Sequence, residues 1–344
     1  MSTQNFVTKL GFNRKGYDLI EFSEKKSLVL TGQSINLDKN IDYLRKKNPN
    51  FDHITISNER NSLNKINKLI KNLSSNNYEN IIVFGGGSLI DISKRFFVSL
   101  KKNNFDLKLV VIPTLIGSGA ESSMTSIINT ANEKIVISDY SQMPNIVIYD
   151  TSIIKNIDSN EILFGSIDAL THCIESTTSF LTNPYLSFFS IQTIEYFFRE
   201  INFEELANAK LINEEDIYKF CIVSFNGGLA QNNSGAGLCH AISHAAETMT
   251  SIRHSRCITY FLKTTLDFIE DNNNNFFKNI NLKNIDELKL MANYFKKNIE
   301  NIDLLDQLIN DEHKKNELIL LAKKDPCWRL FNLKGKKDNI LETI

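Results

Sequence analysis

Two segments carry most of the residue types suited to chemistry. In Gly165-Ser-Ile-Asp-Ala-Leu-Thr-His-Cys-Ile-Glu-Ser176, Asp168 and His172 stand four residues apart, so on a helix both project from one face and could grip one cation. In Gly237-Leu-Cys-His-Ala-Ile-Ser-His244 the spacing recurs in His240 and His244, and His254 follows after a stretch that cannot all be one regular helix. One carboxylate with three imidazoles suits Fe²⁺ or Zn²⁺, whereas Mg²⁺ or Ca²⁺ would want mostly oxygen ligands. An isolated Asp-x-x-x-His pair is ordinarily a surface ion pair. Here Ala169, Leu170, Cys173 and Ile174 surround the first pair and Leu238, Ala241, Ile242 and Ala245 the second. Both helices therefore read as buried, where an unpartnered ionisable group is costly and a metal would supply the partner.

The elements that must position these residues change character along the chain. Up to about residue 156, short apolar runs (Ser27 to Thr31, His53 to Ser57, Ile81 to Phe84, Leu109 to Ile112) alternate with helical patterns (Leu37 to Lys47, Ser62 to Leu73, Leu89 to Leu100), as in a parallel α/β domain. Two of the strands run into loops of one kind. Gly85-Gly-Gly-Ser88 and Pro113-Thr-Leu-Ile-Gly-Ser-Gly-Ala-Glu121 each place glycines and hydroxyls after a strand and ahead of a predicted helix, where backbone N–H groups can approach a pyrophosphate. Beyond residue 156 amphipathic helical segments dominate: 159–176, 185–199, 216–230, 240–249, 259–269, 285–297 and 316–324. The polar run Glu270 to Asn275 reads as a surface excursion. The expected architecture is an α/β chain: a Rossmann-like parallel-sheet dinucleotide-binding domain over 1–156, then an all-helical metal and substrate domain over 157–344.

Composition narrows the function classes. With 39 basic and 40 acidic residues the formal net charge is -1, so no global field favours nucleic acid or a membrane surface. Five cysteines, an odd number without paired spacing, indicate a reducing compartment rather than a disulfide framework. Neither a signal-like start nor an apolar run of about 18 residues occurs, and a cytoplasmic location is expected.

These motifs resemble the iron-containing (group III) alcohol dehydrogenases, related to glycerol dehydrogenase and dehydroquinate synthase. Gly85-Gly-Gly-Ser-Leu-Ile-Asp-Ile-Ser-Lys94 is similar to that family's Gly-Gly-Gly-Ser-x-x-Asp-x-x-Lys. Pro113 to Glu121 matches its Pro-Thr-x-x-Gly-Thr-Gly-x-Glu with Ser118 for Thr, and the segments of Asp168, His172, His240, His244 and His254 match its metal segments in order and spacing. Asp325-Pro-Cys327 and Asn332 resemble its closing helix. The resemblance implies that Asp168, His172, His240 and His254 hold the metal and that His244 is a non-ligand histidine able to relay protons. It further implies that Gly86, Gly87 and Ser88 meet the pyrophosphate, that Thr114 and Ser118 meet ribose and phosphates, that Lys134 meets the nicotinamide-side ribose, and that Asp91 supports that end of the site. The implied activity is hydride exchange between NAD or NADP and a small alcohol or carbonyl compound, in a homodimer.

Three departures bear on specificity. Gly32 stands where the family often has the Asp that binds the adenosine ribose and repels a 2′-phosphate, which leaves NADP open. Arg253 and Arg256 flank His254 in place of the usual Pro-His-Gly-x-x-Asn. One of them facing the cleft would pair with a carboxylate or phosphate on an anionic substrate. Glu247 replaces a frequent glycine and alters the pocket wall. The runner-up readings are an acidic-sugar branch such as 3-deoxy-octulosonate 8-oxidation, similar in the Pro-Thr-Leu-x-Gly-x-Gly-Ala-Glu loop, and a dehydroquinate-synthase-like lyase, whose metal is usually held by Glu and two His.

Overall fold

Alternate residues of each central strand enter two different cores. Leu28, Leu30, Ile81, Val83, Leu109 and Val111 pack into one, while Val29, Ile82, Phe84, Val110 and Ile112 pack into the other. A sheet covered on both faces needs near-continuous apolar strands, which is why these read as unbroken runs. In the computed structural model the described residues are 8–33, 36–56, 67, 70–73, 76–102, 104, 106–129, 134–207, 209, 211–272, 282–331 and 340, the side chains of Asn129, Lys134, Ile135, Ala207 and Leu282 aside. The chain divides into two units, Met1–Ile157 and Asp158–Ile344.

The first unit holds a six-stranded sheet of β1 (Lys9–Phe12), β2 (Lys26–Gly32), β3 (Phe51–Ile56), β4 (Tyr78–Gly85), β5 (Lys108–Pro113) and β8 (Ile146–Tyr149) in the order β1-β8-β5-β4-β2-β3. Every neighbouring pair is parallel. Helix α1 (Asp38–Lys47) follows β2, and α2 (Gly87–Lys101) follows β4. The chain leaves β2 toward β3 on one side and returns to β4 on the other, so the ends of β2 and β4 form the switch point where such sheets bind ligands. The helix expected after Pro113–Glu121 is not there. The loop passes through one 3-10 turn, Ala120–Ser122, into an antiparallel hairpin of β6 (Thr125–Asn129) and β7 (Lys134–Ser138). Thr125-Ser-Ile-Ile128 is rich in β-branched residues that suit a strand. The helix expected from Ser62 to Leu73 and the residue Asn332 lie largely or wholly outside the described residues.

The second unit is helical: α3 (Ser159–Thr178), α4 (Pro184–Glu200), α5 (Glu214–Ser234), α6 (Leu238–Thr250), α7 (His254–Asn272), α8 (Leu282–Lys296), α9 (Ile302–Asn310) and α10 (Glu312–Lys324), closed by a short helix Pro326–Leu330. Helix α3 is buried on nearly every side, as a helix at the centre of a bundle must be. It lies against α5 at Gly227, where a Cβ would come within 2.8 Å of the Ala169 Cα. Residues 270–272 of the expected polar loop are instead the last residues of α7. Among the described residues no helix is long and apolar enough to cross a membrane, and all five cysteines are free.

Candidate functional site

Three imidazoles converge on one carboxylate oxygen. The Nε2 atoms of His240, His254 and His172 lie 3.2, 3.8 and 3.9 Å from Asp168 Oδ1. Asp168 and His172 come from adjacent turns of α3, His240 from the first turn of α6, and His254 is the first residue of α7. Ser251, in the left-handed region with φ 62°, ends α6 and turns the chain so that His254 comes back to the cluster. The His172 and His240 rings stack at 4.2 Å.

The donor set fits a borderline divalent ion. Both ring nitrogens of His172 are buried with no hydrogen-bond partner, an expensive arrangement unless something is coordinated there. Burial, then the neighbouring His240, holds the His172 imidazole neutral. Burial likewise lowers His254, to about 4. For Asp168 burial opposes ionisation, but His254, His172 and His240 outweigh it and hold the carboxyl below the usual range. The same contest at His240 ends with Glu175 and Asp168 pushing it up to about 10 despite burial.

Glu175, one of the residues in the α3 motif, is given no role by spacing alone. Its carboxylate lies 2.6 Å from His240 Nδ1 and accepts the backbone N–H groups of Gly237 and Cys239, each at 2.6 Å. It holds the N-terminus of α6 and fixes the His240 ring so that Nε2 points at Asp168. Gly237 has no side chain because a Cβ would stand 3.0 Å from the Glu175 Cδ. In the sequence Glu175 shows as the last residue of the segment Asp168-Ala-Leu-Thr-His172-Cys-Ile-Glu175 that resembles the family's first metal segment, seven residues after Asp168 and on the same helical face.

His244 is one turn further along α6. Its Nδ1 donates to Asp325 Oδ2 at 2.9 Å, and its ring stacks on His254 at 4.8 Å. Asp325 also caps the short helix Pro326–Leu330 by accepting the Cys327 N–H. Arg253 and Arg256 both close on Glu161, Arg253 Nη1 at 3.2 Å, and the Arg256 guanidinium lies over the Phe164 ring at 4.3 Å. One internal carboxylate thus serves two guanidinium groups, and the Arg253 side chain stays largely exposed. With Glu300, Asn301 and neighbours the two arginines line a cavity of about 350 Å³.

In the first unit Gly86 is the N-cap of α2, so Gly87 and Ser88 open a helix whose first N–H groups lack intrahelical acceptors, a ready anion site. The Thr114 N–H donates to the Gly85 carbonyl at 3.0 Å and ties the two loops together. A Cβ on Gly87 would meet Ser118 Oγ at 3.1 Å, and Gly117 and Gly119 take φ of 123° and 65°, which only glycine adopts without strain. Asp91 does not offer its carboxylate outward. One oxygen accepts the Ile127 N–H at 3.0 Å and the other meets Lys94, which is itself buried and donates to the Thr125 carbonyl, so Asp91 braces the hairpin on α2. Lys134 begins β7, and its side chain lies outside the described residues. Beside the switch point, Thr31, Gly32, Asn36, Asp38, His53 and Thr55 line a cavity of about 460 Å³.

Comparison with known proteins follows the same division. A family model described as iron-containing alcohol dehydrogenase matches residues 9–151, and one described as Fe-containing alcohol dehydrogenase family, C-terminal, matches residues 162–319. The 4-hydroxybutyrate dehydrogenase of Clostridium kluyveri is 28% identical over 261 residues, 71% of this chain and 68% of that protein. Further curated relatives are matched over about half of their own length. An iron-containing alcohol dehydrogenase from Thermococcus thioreducens has the same fold with TM-score 0.83 at 18% identity, covering 99% of this chain and 98% of that one. A sulfoacetaldehyde reductase from Bifidobacterium kashiwanohense in complex with NAD⁺ aligns with TM-score 0.81 at 17% identity over 100% and 97% of the two chains.

Proposed function

The chain belongs to the iron-containing alcohol dehydrogenases, and on that premise we propose that it is an iron- and NAD-dependent oxidoreductase of a small primary alcohol and its aldehyde. The observation that carries this reading is the meeting of three imidazole nitrogens within 3.9 Å of one carboxylate oxygen, with the His172 Nε2 among them buried and without a hydrogen-bond partner. Asp168, His172, His240 and His254 would hold Fe²⁺, and the loops around Gly86, Gly87, Ser88, Thr114 and Ser118 would hold the pyrophosphate and ribose. When bound, the ion would acidify an alcohol hydroxyl and polarise the product carbonyl, and the nicotinamide would accept the hydride.

The residues of the chain divide the remaining work. Asp325 keeps the His244 proton on Nδ1, which leaves Nε2 with a lone pair to accept the hydroxyl proton. The half-buried position of His244 lets that proton pass on to solvent. Glu175 keeps His240 in the tautomer that presents Nε2. An ω-hydroxy acid is the favoured substrate class because the 28% identical relative is a 4-hydroxybutyrate dehydrogenase. Arg253 and Arg256 share the single carboxylate of Glu161, which leaves one positive charge of the pair as a partner for the substrate carboxylate. Gly32 opposes no carboxylate to a 2′-phosphate, so NADP⁺ belongs in the assay beside NAD⁺.

The test is metal analysis of wild type and His254→Ala side by side, with reduction of both cofactors over alcohols, polyols, ω-hydroxy acids and sugar acids. About one iron per chain, lost together with turnover in the variant, is expected. Iron bound without reduction of either cofactor by any substrate overturns the oxidoreductase reading, and no bound metal overturns the site.

A further inference from the structure

Beside the four proposed ligands lies a second set of donors with a different chemistry. One ring nitrogen of His244, one carboxylate oxygen of Asp325 and the Cys327 Sγ lie within 4.8 Å of one another, all on half-buried residues. Two local features bring them together. Asp325 caps the short helix Pro326–Leu330 by accepting the Cys327 N–H at 2.8 Å, which sets thiol and carboxylate side by side, and His244 reaches the same carboxylate from α6 at 2.9 Å. Capping a helix and orienting a histidine require the carboxylate alone. The thiol makes the set nitrogen, oxygen and sulfur with room for one more ligand, a combination that selects zinc-like ions over the harder Mg²⁺ and Ca²⁺.

We propose that His244, Asp325 and Cys327 form a second divalent-cation site, for Zn²⁺ and similar thiophilic ions, whose occupation inhibits the enzyme by engaging the His244 imidazole. Ligands about 2.0–2.3 Å from a tetrahedral ion stand roughly 3.2–3.8 Å apart, so the His244–Asp325 contact opens by only a few tenths of an ångström. Burial and the Asp325 charge keep the Cys327 thiol protonated in the free protein. Binding breaks the Cys327 S–H bond and the His244 Nδ1–H bond and forms metal–sulfur, metal–nitrogen and metal–oxygen bonds; one proton leaves to solvent, the imidazole stays neutral with its proton on Nε2, and no oxidation state changes. The inhibition rests on the reading of His244 as proton relay; the binding does not.

The experiment is a Co²⁺ titration of the purified protein, followed by near-ultraviolet thiolate-to-cobalt charge-transfer absorption. The cluster of Asp168, His172, His240 and His254 contains no sulfur, so the first equivalent is silent in that window. The second equivalent is expected to raise the band, Zn²⁺ to displace it, and Cys327→Ser, nearly isosteric, to abolish it. On the iron-loaded enzyme, inhibition by Zn²⁺ is expected to need about 10-fold more ion or beyond in Cys327→Ser, since a lost ligand costs at least what a lost outer-shell partner does. No band in the wild type, or a band undiminished in Cys327→Ser, overturns the site. Equal inhibition of both proteins overturns the inhibitory role. A cysteine-dependent band in a protein that oxidises no alcohol supports the site while sinking the dehydrogenase reading.

Discussion

His240 Nδ1 lies 2.6 Å from Glu175 Oε2, and the same carboxylate accepts the N–H groups that open α6. One buried acid on α3 therefore both starts the neighbouring helix and aims an imidazole carried on it. Glu175→Gln keeps the shape but lets the amide donate to Nδ1, which favours the wrong tautomer. The expected outcome is a loss of about 10–100-fold in metal affinity, measured by chelator competition, with helical content unchanged. Unaltered affinity would assign Glu175 to capping alone.

Asp325→Asn tests the proton path. With Nδ1 no longer fixed as a donor to a carboxylate, Nε2 ceases to be a dependable base, and kcat is expected to fall by roughly 10²–10⁴-fold, the usual range for general acid–base catalysis. Iron content should stay at the wild-type level and KM should move little. Loss of iron in this variant would place Asp325 in the catalytic metal site instead.

Gly227→Ala probes the seat of α3. The new Cβ would lie 2.8 Å from the Ala169 Cα, Cβ and carbonyl oxygen, contacts that no rotamer change can relieve. Overpacking costs about 1–3 kcal/mol, and with backbone on one side the upper end outweighs the roughly 1 kcal/mol gained in helix propensity. A lowered Tm is expected, with weaker iron retention because Ala169 adjoins Asp168. A Tm at or above wild type would show that the two helices can part freely.

Acid stability of the first unit has an identifiable contributor. The Asp52 carboxylate accepts from Tyr78 at 2.7 Å and pairs with Lys26 at 3.0 Å, and these two bonds hold it below the usual carboxylate range. A group whose folded-state value is depressed stabilises above its unfolded value of about 4 and loses that contribution as pH falls through the folded value. Asp52→Asn should therefore be less stable than wild type by about 1 kcal/mol at neutral pH, the low end because the carboxylate is partly solvated. The difference should close in denaturation curves recorded below about pH 4. A constant difference at all pH values would rule out the charge as its source.

The helix positions of Asp168, His172 and His240 were legible because helical periodicity alone sets which side chains share a face. The central strands were legible too, since burial on both faces leaves unbroken apolar runs. Other features depend on partners that no local pattern announces. Strand β1 is a short edge strand with two of its four residues exposed, and the hairpin after Glu121 hides behind glycines whose positive φ is a property of the fold. Arg253 and Arg256 read as free charges because Glu161, more than ninety positions earlier, meets them only after α3 and α7 pack. Glu175 is the clearest case: its three bonds all cross from one helix to the start of another.

The proposed ligand side chains differ sharply in exposure: about 3% for Asp168 and His172, 1% for His240 and 27% for His254. A chelator approaching such an ion would meet His254 first, since the other three side chains are anchored in packed helices. The ion's residence time would then be set by how often one imidazole swings aside, and the rate at which a chelator strips the protein would level off as chelator concentration rises. Exchange of the ion would then follow the motion of one side chain rather than the opening of the helical bundle.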